Sequence, residues 1–198
     1  VEKLQFSDGS VYTLTDKTYT SIGTSQNDTI NGIAFGGANT DLIYLNGGDD
    51  TSYAGAGNDT VYCGDGNDKI YGEAGNDILS GEAGNDTLSG EGGNDSYYYS
   101  SGNDIFSESA SASSTDEIVM ASGITAGALS FARINAYDLK IDVAGYGSIT
   151  VKDQFFNSSG SYALETIRFA DNSTINLYTQ SYITKGTGAN DSLSGITG

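Results

Sequence analysis

The sequence predicts an all-β fold in which short strands stack as coils of 18 residues, with a small β-rich domain after them. Three observations support this prediction. Glycine is abundant, with 28 residues among 198; Ser, Thr, Asn and Asp separate short apolar runs; and an aspartate recurs every nine residues through the first half. Turn-forming residues between short apolar runs are typical of strands joined by tight turns, and they disfavour long helices.

The nine-residue repeat can be counted directly. Two residues before the aspartate, glycine stands in seven of eight copies, with Asn39 as the exception. Two residues after it, seven of the eight side chains are apolar or aromatic. Each copy therefore predicts a six-residue polar turn and a three-residue strand whose middle side chain points inward. Asp28 begins the series before a four-residue insertion at 32–35, and the uninterrupted members are Asp41, Asp50, Asp59, Asp68, Asp77, Asp86, Asp95 and Asp104.

Two copies make one coil, so we expect alternate aspartates to stack on each edge, as Asp59 over Asp41 and Asp68 over Asp50. Adjacent strands lie about 4.8 Å apart, and carboxylates at that spacing repel unless a cation lies between them. Carboxylates and the exposed carbonyls of glycine-rich turns suit calcium, whereas magnesium requires a tighter octahedral geometry. Zinc is disfavoured because the chain has no His and one Cys.

The repeat pattern, Gly-Gly-x-Gly-x-Asp-x-U-x with U a large apolar residue, resembles the calcium-binding nonapeptide of RTX proteins. The resemblance covers residues 36–107, and GEAGNDTLS at 81–89 is a near-consensus copy. It implies a right-handed parallel β-roll with two short sheets and calcium held between the turns. It also implies a chain that stays unfolded in the low-calcium cytosol, leaves through a type I exporter and folds outside, secreted or at the bacterial cell surface.

The resemblance assigns calcium to the aspartate of each copy and to the turn residues before it. Three glutamates replace the second glycine, and Cys63 replaces a first glycine. Eight turns in register form six stacked pairs, so we expect up to about six calcium ions. The candidate metal residues are Asp41, Asp50, Asp59, Asp68, Asp77, Asp86, Asp95, Asp104, Asn46, Gly48, Gly55, Gly57, Gly64, Gly66, Gly75, Gly84, Gly93, Glu73, Glu82 and Glu91.

A longer repeat relates the two ends of the chain. Residues 1–33 align without a gap with residues 164–196, at an offset of 163. We interpret the chain as an excerpt from a tandem array, and it opens on Val1 without a signal peptide. The predicted parts are the end of a preceding cap domain at 1–27, the calcium-binding roll at 28–107, a β-rich cap and connector at 108–185, and the start of the next roll at 186–198.

The second half resembles the domain that often follows hemolysin-type calcium-binding repeats, over residues 116–177. This resemblance implies no chemistry, and we expect the domain to cover the exposed end of the roll. Alternating apolar residues are clearest at Leu139, Ile141 and Val143. The predicted strands are 117–120, 129–134, 138–144, 147–152, 164–169 and 174–177.

Composition and motifs disfavour several classes of function. The net charge of −18 disfavours nucleic acid and anionic membranes, and no run approaches the roughly 18 apolar residues of a membrane span. A single Cys excludes an internal disulfide framework. An HExxH site is impossible without His, and neither a GxSxG elbow nor a phosphate-binding loop occurs. We therefore expect no catalytic residue in this segment.

The main hypothesis is a calcium-binding structural repeat unit of a large secreted bacterial RTX protein, an adhesin or toxin stalk. Its partners are calcium ions and the adjacent units of the same chain. One alternative is a module that binds a glycan or a protein through two exposed ladders, Tyr44 with Tyr62 and Tyr53 with Tyr71. The other alternative is an accessory domain of a secreted hydrolase or epimerase whose catalysis lies in another domain.

Overall fold

The structure, a computed structural model, describes residues 3–5, 11–13, 18–32, 39–109, 114–155, 164–178 and 183–184. The predicted start of the next roll, 186–198, lies outside the described residues. None of the helices in the described ranges has the length and hydrophobicity of a membrane span. The elements are β1 (Lys3–Gln5), β2 (Val11–Thr13), β3 (Thr18–Ile22), β4 (Thr29–Asn31), β5 (Thr40–Tyr44), β6 (Thr51–Ala56), β7 (Thr60–Tyr62), β8 (Lys69–Ala74), β9 (Ile78–Ser80), β10 (Thr87–Ser89), β11 (Ser96–Tyr99), β12 (Gly102–Ser107), β13 (Glu117–Met120), a 3-10 helix (Ala126–Ala128), β14 (Leu129–Arg133), β15 (Leu139–Val143), β16 (Gly147–Val151), β17 (Thr166–Arg168), β18 (Thr174–Asn176) and β19 (Ile183–Thr184).

Strands β3 to β19 form two long sheets, and β1 and β2 pair antiparallel in a separate two-stranded sheet. The first sheet has the strand order β18-β17-β13-β11-β9-β7-β5-β3, and the second has the order β19-β14-β15-β16-β12-β10-β8-β6-β4. Consecutive coils pair in parallel at a spacing of 18 residues, so that Thr60 is opposite Ile78 and Thr51 is opposite Lys69. The result is a solenoid of about five turns, which confirms the predicted all-β parallel roll.

The spacing between coils changes at both ends of the roll. β4 pairs with β6 at an offset of 22, with Thr29 opposite Thr51, because of the four-residue insertion. At the other end β11 pairs with β13 at an offset of 21, with Ser96 opposite Glu117. β12 pairs with β16 at an offset of 45. Strand pairing therefore continues on both sides of the insertions.

The β-rich segment after the roll continues both sheets. The six strands predicted there correspond to β13 through β18, with small differences at the ends. β13 and β17 extend the first sheet in parallel, and β16 extends the second before β15 and β14 turn antiparallel. Arg168 on β17 holds Glu117 on β13 through Nε and Nη2, at 2.9 and 2.7 Å. This bidentate pair fixes the register of the two strands.

The middle side chain of each short strand points into one continuous core, as the repeat predicts. Those from Ile43 to Phe106 are fully buried, with Ser52 as the polar exception, whereas Ile30 on β4 is partly buried. The same core cluster extends into Ile118, Ile141 and Leu177 beyond the roll. Burial of a Leu, Ile or Val side chain contributes about 1.5–3 kcal/mol. The inward residues are Ile43, Val61, Ile70, Leu79, Leu88, Tyr97 and Phe106.

Glycines in the turns allow neighbouring coils to approach closely. Gly84 has a φ of +151°, and a Cβ on it would lie 1.5 Å from the carbonyl oxygen of Gly66 one coil earlier. Gly55 also has a positive φ, +104°, but no atom lies within 4 Å of its hypothetical Cβ. The two positions thus separate backbone strain, which both share, from contact between coils, which only Gly84 makes.

We expect Gly84→Ala to destabilise the roll far more than Gly55→Ala. A left-handed conformation costs a non-glycine residue about 1–2 kcal/mol, and both variants lose that amount. The clash at Gly84 adds about 1–3 kcal/mol because the coils must separate. Urea unfolding at one fixed calcium concentration measures both losses, and equal losses would contradict the close approach of the coils.

Candidate metal centre

The motif aspartates form two columns, one on each edge of the roll. Each column contains one aspartate from every coil, and nine of the ten are at most 4% exposed. Asp28, partly buried, is the tenth. The first aspartate column is Asp41, Asp59, Asp77, Asp95 and Asp116, and the second aspartate column is Asp28, Asp50, Asp68, Asp86 and Asp104.

Asp116 is a column member that the sequence analysis missed. It follows Asp95 by 21 residues, so it falls outside the nine-residue count. The available signal was Ile118, an apolar residue two positions after the aspartate, as in seven of the eight motif copies. Asp28, which the count had placed at the start of the series, joins the other column at an offset of 22.

Each column is held by hydrogen bonds from backbone to carboxylate. The N–H of one aspartate donates to Oδ1 of the aspartate one coil later, with N···O distances of 2.6–3.0 Å. Asp77 takes part twice: its Oδ1 accepts from Asp59, and its N–H donates to Asp95. In every column member after Asp28 and Asp41, which begin the two columns, Oδ1 therefore sets the register between coils.

The second carboxylate oxygen has a different environment. Among the described residues, Oδ2 is buried and has no hydrogen-bond partner on Asp50, Asp59, Asp68, Asp77, Asp86 and Asp95. A buried carboxylate oxygen without a partner is strongly unfavourable unless a cation or a proton satisfies it. Six such atoms in two regular rows indicate a repeated cation site.

Turn glycines leave open the space beside these oxygens. A Cβ on Gly72 would lie 2.5 Å from Oδ2 of Asp77, and one on Gly90 would lie 2.3 Å from Oδ2 of Asp95. Carbonyl oxygens also point toward the next coil. The oxygens of Gly48, Gly57, Gly66, Gly75 and Gly84 lie within 2 Å of where a Cβ on the glycine one coil later would stand.

The candidate residues at the second position of each turn offer backbone carbonyls; they include Asn46, Gly64, Glu73, Glu82 and Glu91. They have left-handed backbone, with φ of +75° at Asn46 and +71° at Glu73. The carbonyls of Asn46, Gly64 and Glu73 accept N–H groups from the next coil. Those of Glu82 and Glu91 accept serine hydroxyls. The glutamate side chains at 73 and 82 are exposed, so at this position calcium would meet a shared carbonyl oxygen rather than a carboxylate.

Burial raises the pKa of seven column aspartates, which are Asp59, Asp68, Asp77, Asp86, Asp95, Asp104 and Asp116. For Asp77 burial is the largest cause, the N–H of Asp59 partly opposes it, and the charges of Asp95 and Asp59 add to it, which gives a pKa of about 8. Asp68 and Asp104 reach about 7, and Asp59 and Asp95 reach about 6, again chiefly through burial. Without a cation, the columns hold carboxylates that resist ionisation.

The donor set fits calcium. It offers only oxygen, from carboxylates and turn carbonyls, at positions repeated once a coil. Calcium takes six to eight oxygen ligands at about 2.3–2.6 Å in flexible geometry, and backbone carbonyls and carboxylates are its usual protein ligands. Cys63, the one thiol, is fully buried in the core, where burial raises its pKa strongly, so it offers no thiolate.

An asparagine ladder runs beside each aspartate column, and the sequence pattern had not been interpreted as one. The N–H of Asn76 donates to Oδ1 of Asn58, and that of Asn94 donates to Oδ1 of Asn76. On the other edge Asn85 bonds to Asn67 in the same way. These bonds run toward the previous coil, opposite to the aspartate bonds. On that edge Asp49 stands in the place of an asparagine, because Asn67 donates its N–H to Oδ1 of Asp49. Exposed side-chain oxygens thus align the turns next to the aspartate columns.

Comparison with protein families agrees with this geometry. The RTX calcium-binding nonapeptide repeat matches four overlapping stretches, 33–61, 46–79, 53–88 and 71–106. The haemolysin-type calcium binding protein related domain matches residues 138–179. A search of curated proteins found no match. The chain therefore contains RTX calcium-binding nonapeptide repeats over residues 33–106, and a haemolysin-type calcium binding protein related domain follows these repeats.

Proposed function

We propose that this calcium-binding repeat region is a structural unit of a large secreted bacterial RTX protein, an adhesin or toxin stalk, and that it folds when calcium binds. The observation that carries the proposal is the row of buried Oδ2 atoms without hydrogen-bond partners in the described coils. The roll (28–107) and the cap (108–185) form the repeated unit, and its neighbours in the array are further copies in the same chain.

Calcium binding is coupled to folding because the sites exist only between stacked coils. In the unfolded chain water solvates every carboxylate. Stacking the coils removes that water and places the charges of neighbouring column members against one another, as Asp59 and Asp95 lie against Asp77. Calcium between the coils reverses this repulsion, and its binding free energy adds directly to the stability of the fold.

The same electrostatics suits export before folding. Residues 28–104 contain 14 acidic residues and one basic residue, Lys69. Like charges at this density keep the chain expanded when calcium is scarce. A calcium-rich exterior then supplies the cation, so folding occurs after secretion, as in the RTX proteins that the chain resembles.

The exposed tyrosines are explained by the roll itself. Tyr44 and Tyr62 stack with ring centroids 5.3 Å apart, and Tyr53 and Tyr71 stack at 4.9 Å. Such pairs stabilise adjacent strands by about 0.5–1.5 kcal/mol. Because each ring covers a face of its partner, the pairs strengthen the thin sheets, which favours the structural role over a glycan site.

We expect the chain to lose most of its β signal by circular dichroism in excess chelator and to regain it as calcium is added. Asp77→Asn is the informative variant, because its amide oxygen can still accept the N–H of Asp59 while the charge is removed. It should raise the calcium concentration at the folding midpoint about tenfold, equivalent to about 1.4 kcal/mol.

Asp142→Asn is the matched control, since this carboxylate is exposed and pairs with Lys140 away from both columns. It removes one charge and should leave the midpoint unchanged. Full β content in chelator, with no shift in melting temperature on adding calcium, would refute folding on calcium. An equal shift for both variants would show that only net charge matters.

The pKa values also set the sign of the pH dependence. In the folded chain without metal, Asp77 has a pKa of about 8 and Asp68 of about 7, whereas aspartates in an unfolded chain have a pKa of about 3.9. The folded state therefore binds more protons than the unfolded state between about pH 4 and pH 8. Stability without calcium must fall as the pH rises through this window.

We expect acid to stabilise the calcium-free roll and to weaken calcium binding. In chelator, β content should increase as the pH falls from about 8 to 5, because protons satisfy the buried oxygens. Calcium titrations should show a lower affinity at pH 6 than at pH 8, because protons and calcium compete. Dichroism and calorimetry measure the two effects, and a calcium-free roll that gains stability with rising pH would contradict the assignment.

A further inference from the structure

The last coil of the roll carries a carboxylate where the coils below it have none. On the first edge, the residues that open successive turns are Ala54, Gly72, Gly90 and Glu108, spaced 18 residues apart. The first three are buried and offer at most a methyl group. Glu108 brings a carboxylate to the inner side of the same edge, directly after β12. It lies between the two segments that match known families, 33–106 and 138–179.

Glu108 meets the top of the first aspartate column. One carboxylate oxygen from each of Asp95, Glu108 and Asp116 lies within 4.8 Å of the other two. Two ligands of one calcium ion, each about 2.3–2.6 Å from it, can be at most about 5 Å apart. A single ion can therefore contact all three carboxylates.

Two unpartnered oxygens point to an ion at this place. Asp95 is 1% exposed, and its Oδ2 has no hydrogen-bond partner among the described residues. Oε2 of Glu108 is buried and unpartnered in the same part of the structure. Asp95 belongs to the first aspartate column, whereas Glu108 follows β12. The hydrogen bonds along the column therefore do not account for both unpartnered oxygens.

Neighbouring groups hold Glu108 and Asp116 in position. The Tyr97 hydroxyl accepts the N–H of Gly90 at 2.6 Å and is hydrogen-bonded to Oε1 of Glu108. This contact leaves Oε2 of Glu108 for another partner. Asp116 accepts the N–H of Asp95 through Oδ1 and donates its own N–H to Oε2 of Glu165 at 2.6 Å. Four carboxylates thus converge at the junction of roll and cap.

We propose that Asp95, Glu108 and Asp116 bind a calcium ion that joins the last coil of the roll to the cap. Asp116 immediately precedes β13, the strand that carries the first sheet out of the roll. An ion shared with Asp95 and Glu108 ties that strand to the coil below it. The inference rests on the proposed calcium binding and adds a site in which two of the three carboxylates, Glu108 and Asp116, lie outside the nine-residue count.

The test is the number of calcium ions bound by the whole chain, measured by native mass spectrometry and by calorimetric titration. Glu108→Gln should bind one ion fewer than the wild type, with the other sites unchanged. Asp142→Asn, which removes an exposed carboxylate on the cap, should bind the wild-type number. Glu108→Asp keeps the carboxylate on a shorter side chain, so the full count should remain with one site at least about tenfold weaker.

An unchanged count and unchanged affinities in Glu108→Gln would overturn the inference and leave the other calcium sites standing. A wild type that binds no calcium would instead refute the proposed function itself. If Glu108→Gln does not fold at any calcium concentration, Glu108→Asp decides. One weakened site supports the proposal, and wild-type affinity at every site overturns it.

Discussion

The two aspartate columns place buried negative charge at the spacing of adjacent strands, and the roll is organised around that charge. The two carboxylate oxygens have different roles in six column members, Asp50, Asp59, Asp68, Asp77, Asp86 and Asp95. Oδ1 accepts a backbone N–H from the coil before and so sets the register. Oδ2 remains buried without a hydrogen-bond partner on six described aspartates. The same group that aligns the coils therefore creates the demand for a cation.

This division explains why neighbouring turn positions differ in residue type. Asn76 and Asn85 need only to accept and donate neutral hydrogen bonds, and their side chains are exposed. Asp49, exposed at the equivalent position, makes the same bonds with Asn27 and Asn67, so the ladder does not depend on charge. Asp77 and Asp86 are buried one residue later, and a carboxylate is required because a divalent ion binds a charged oxygen more strongly than an amide.

The sequence was sufficient for the repeating part of the fold. The nine-residue count predicted the 18-residue coil, the inward row from Ile43 to Phe106 and the stacking of alternate aspartates, because a strict period leaves a single register. The cap strands also followed from alternation, as at Leu139, Ile141 and Val143. The nine-residue count did not include Asp116, because extra residues separate it from Asp95. No role for Glu108 could be predicted until the structure placed it one coil above Gly90. The continuation of both sheets into the cap depends on pairing between residues as distant as Gly102 and Gly147, which no local pattern encodes.

The most direct test of this account is anomalous diffraction from crystals of the whole chain grown with calcium. The account predicts calcium peaks between consecutive turns on both edges, each about 2.3–2.6 Å from an Oδ2 atom of the aspartate columns. A folded roll with no peak beside Asp59, Asp68, Asp77 or Asp86, or with calcium confined to surface carboxylates, would contradict it.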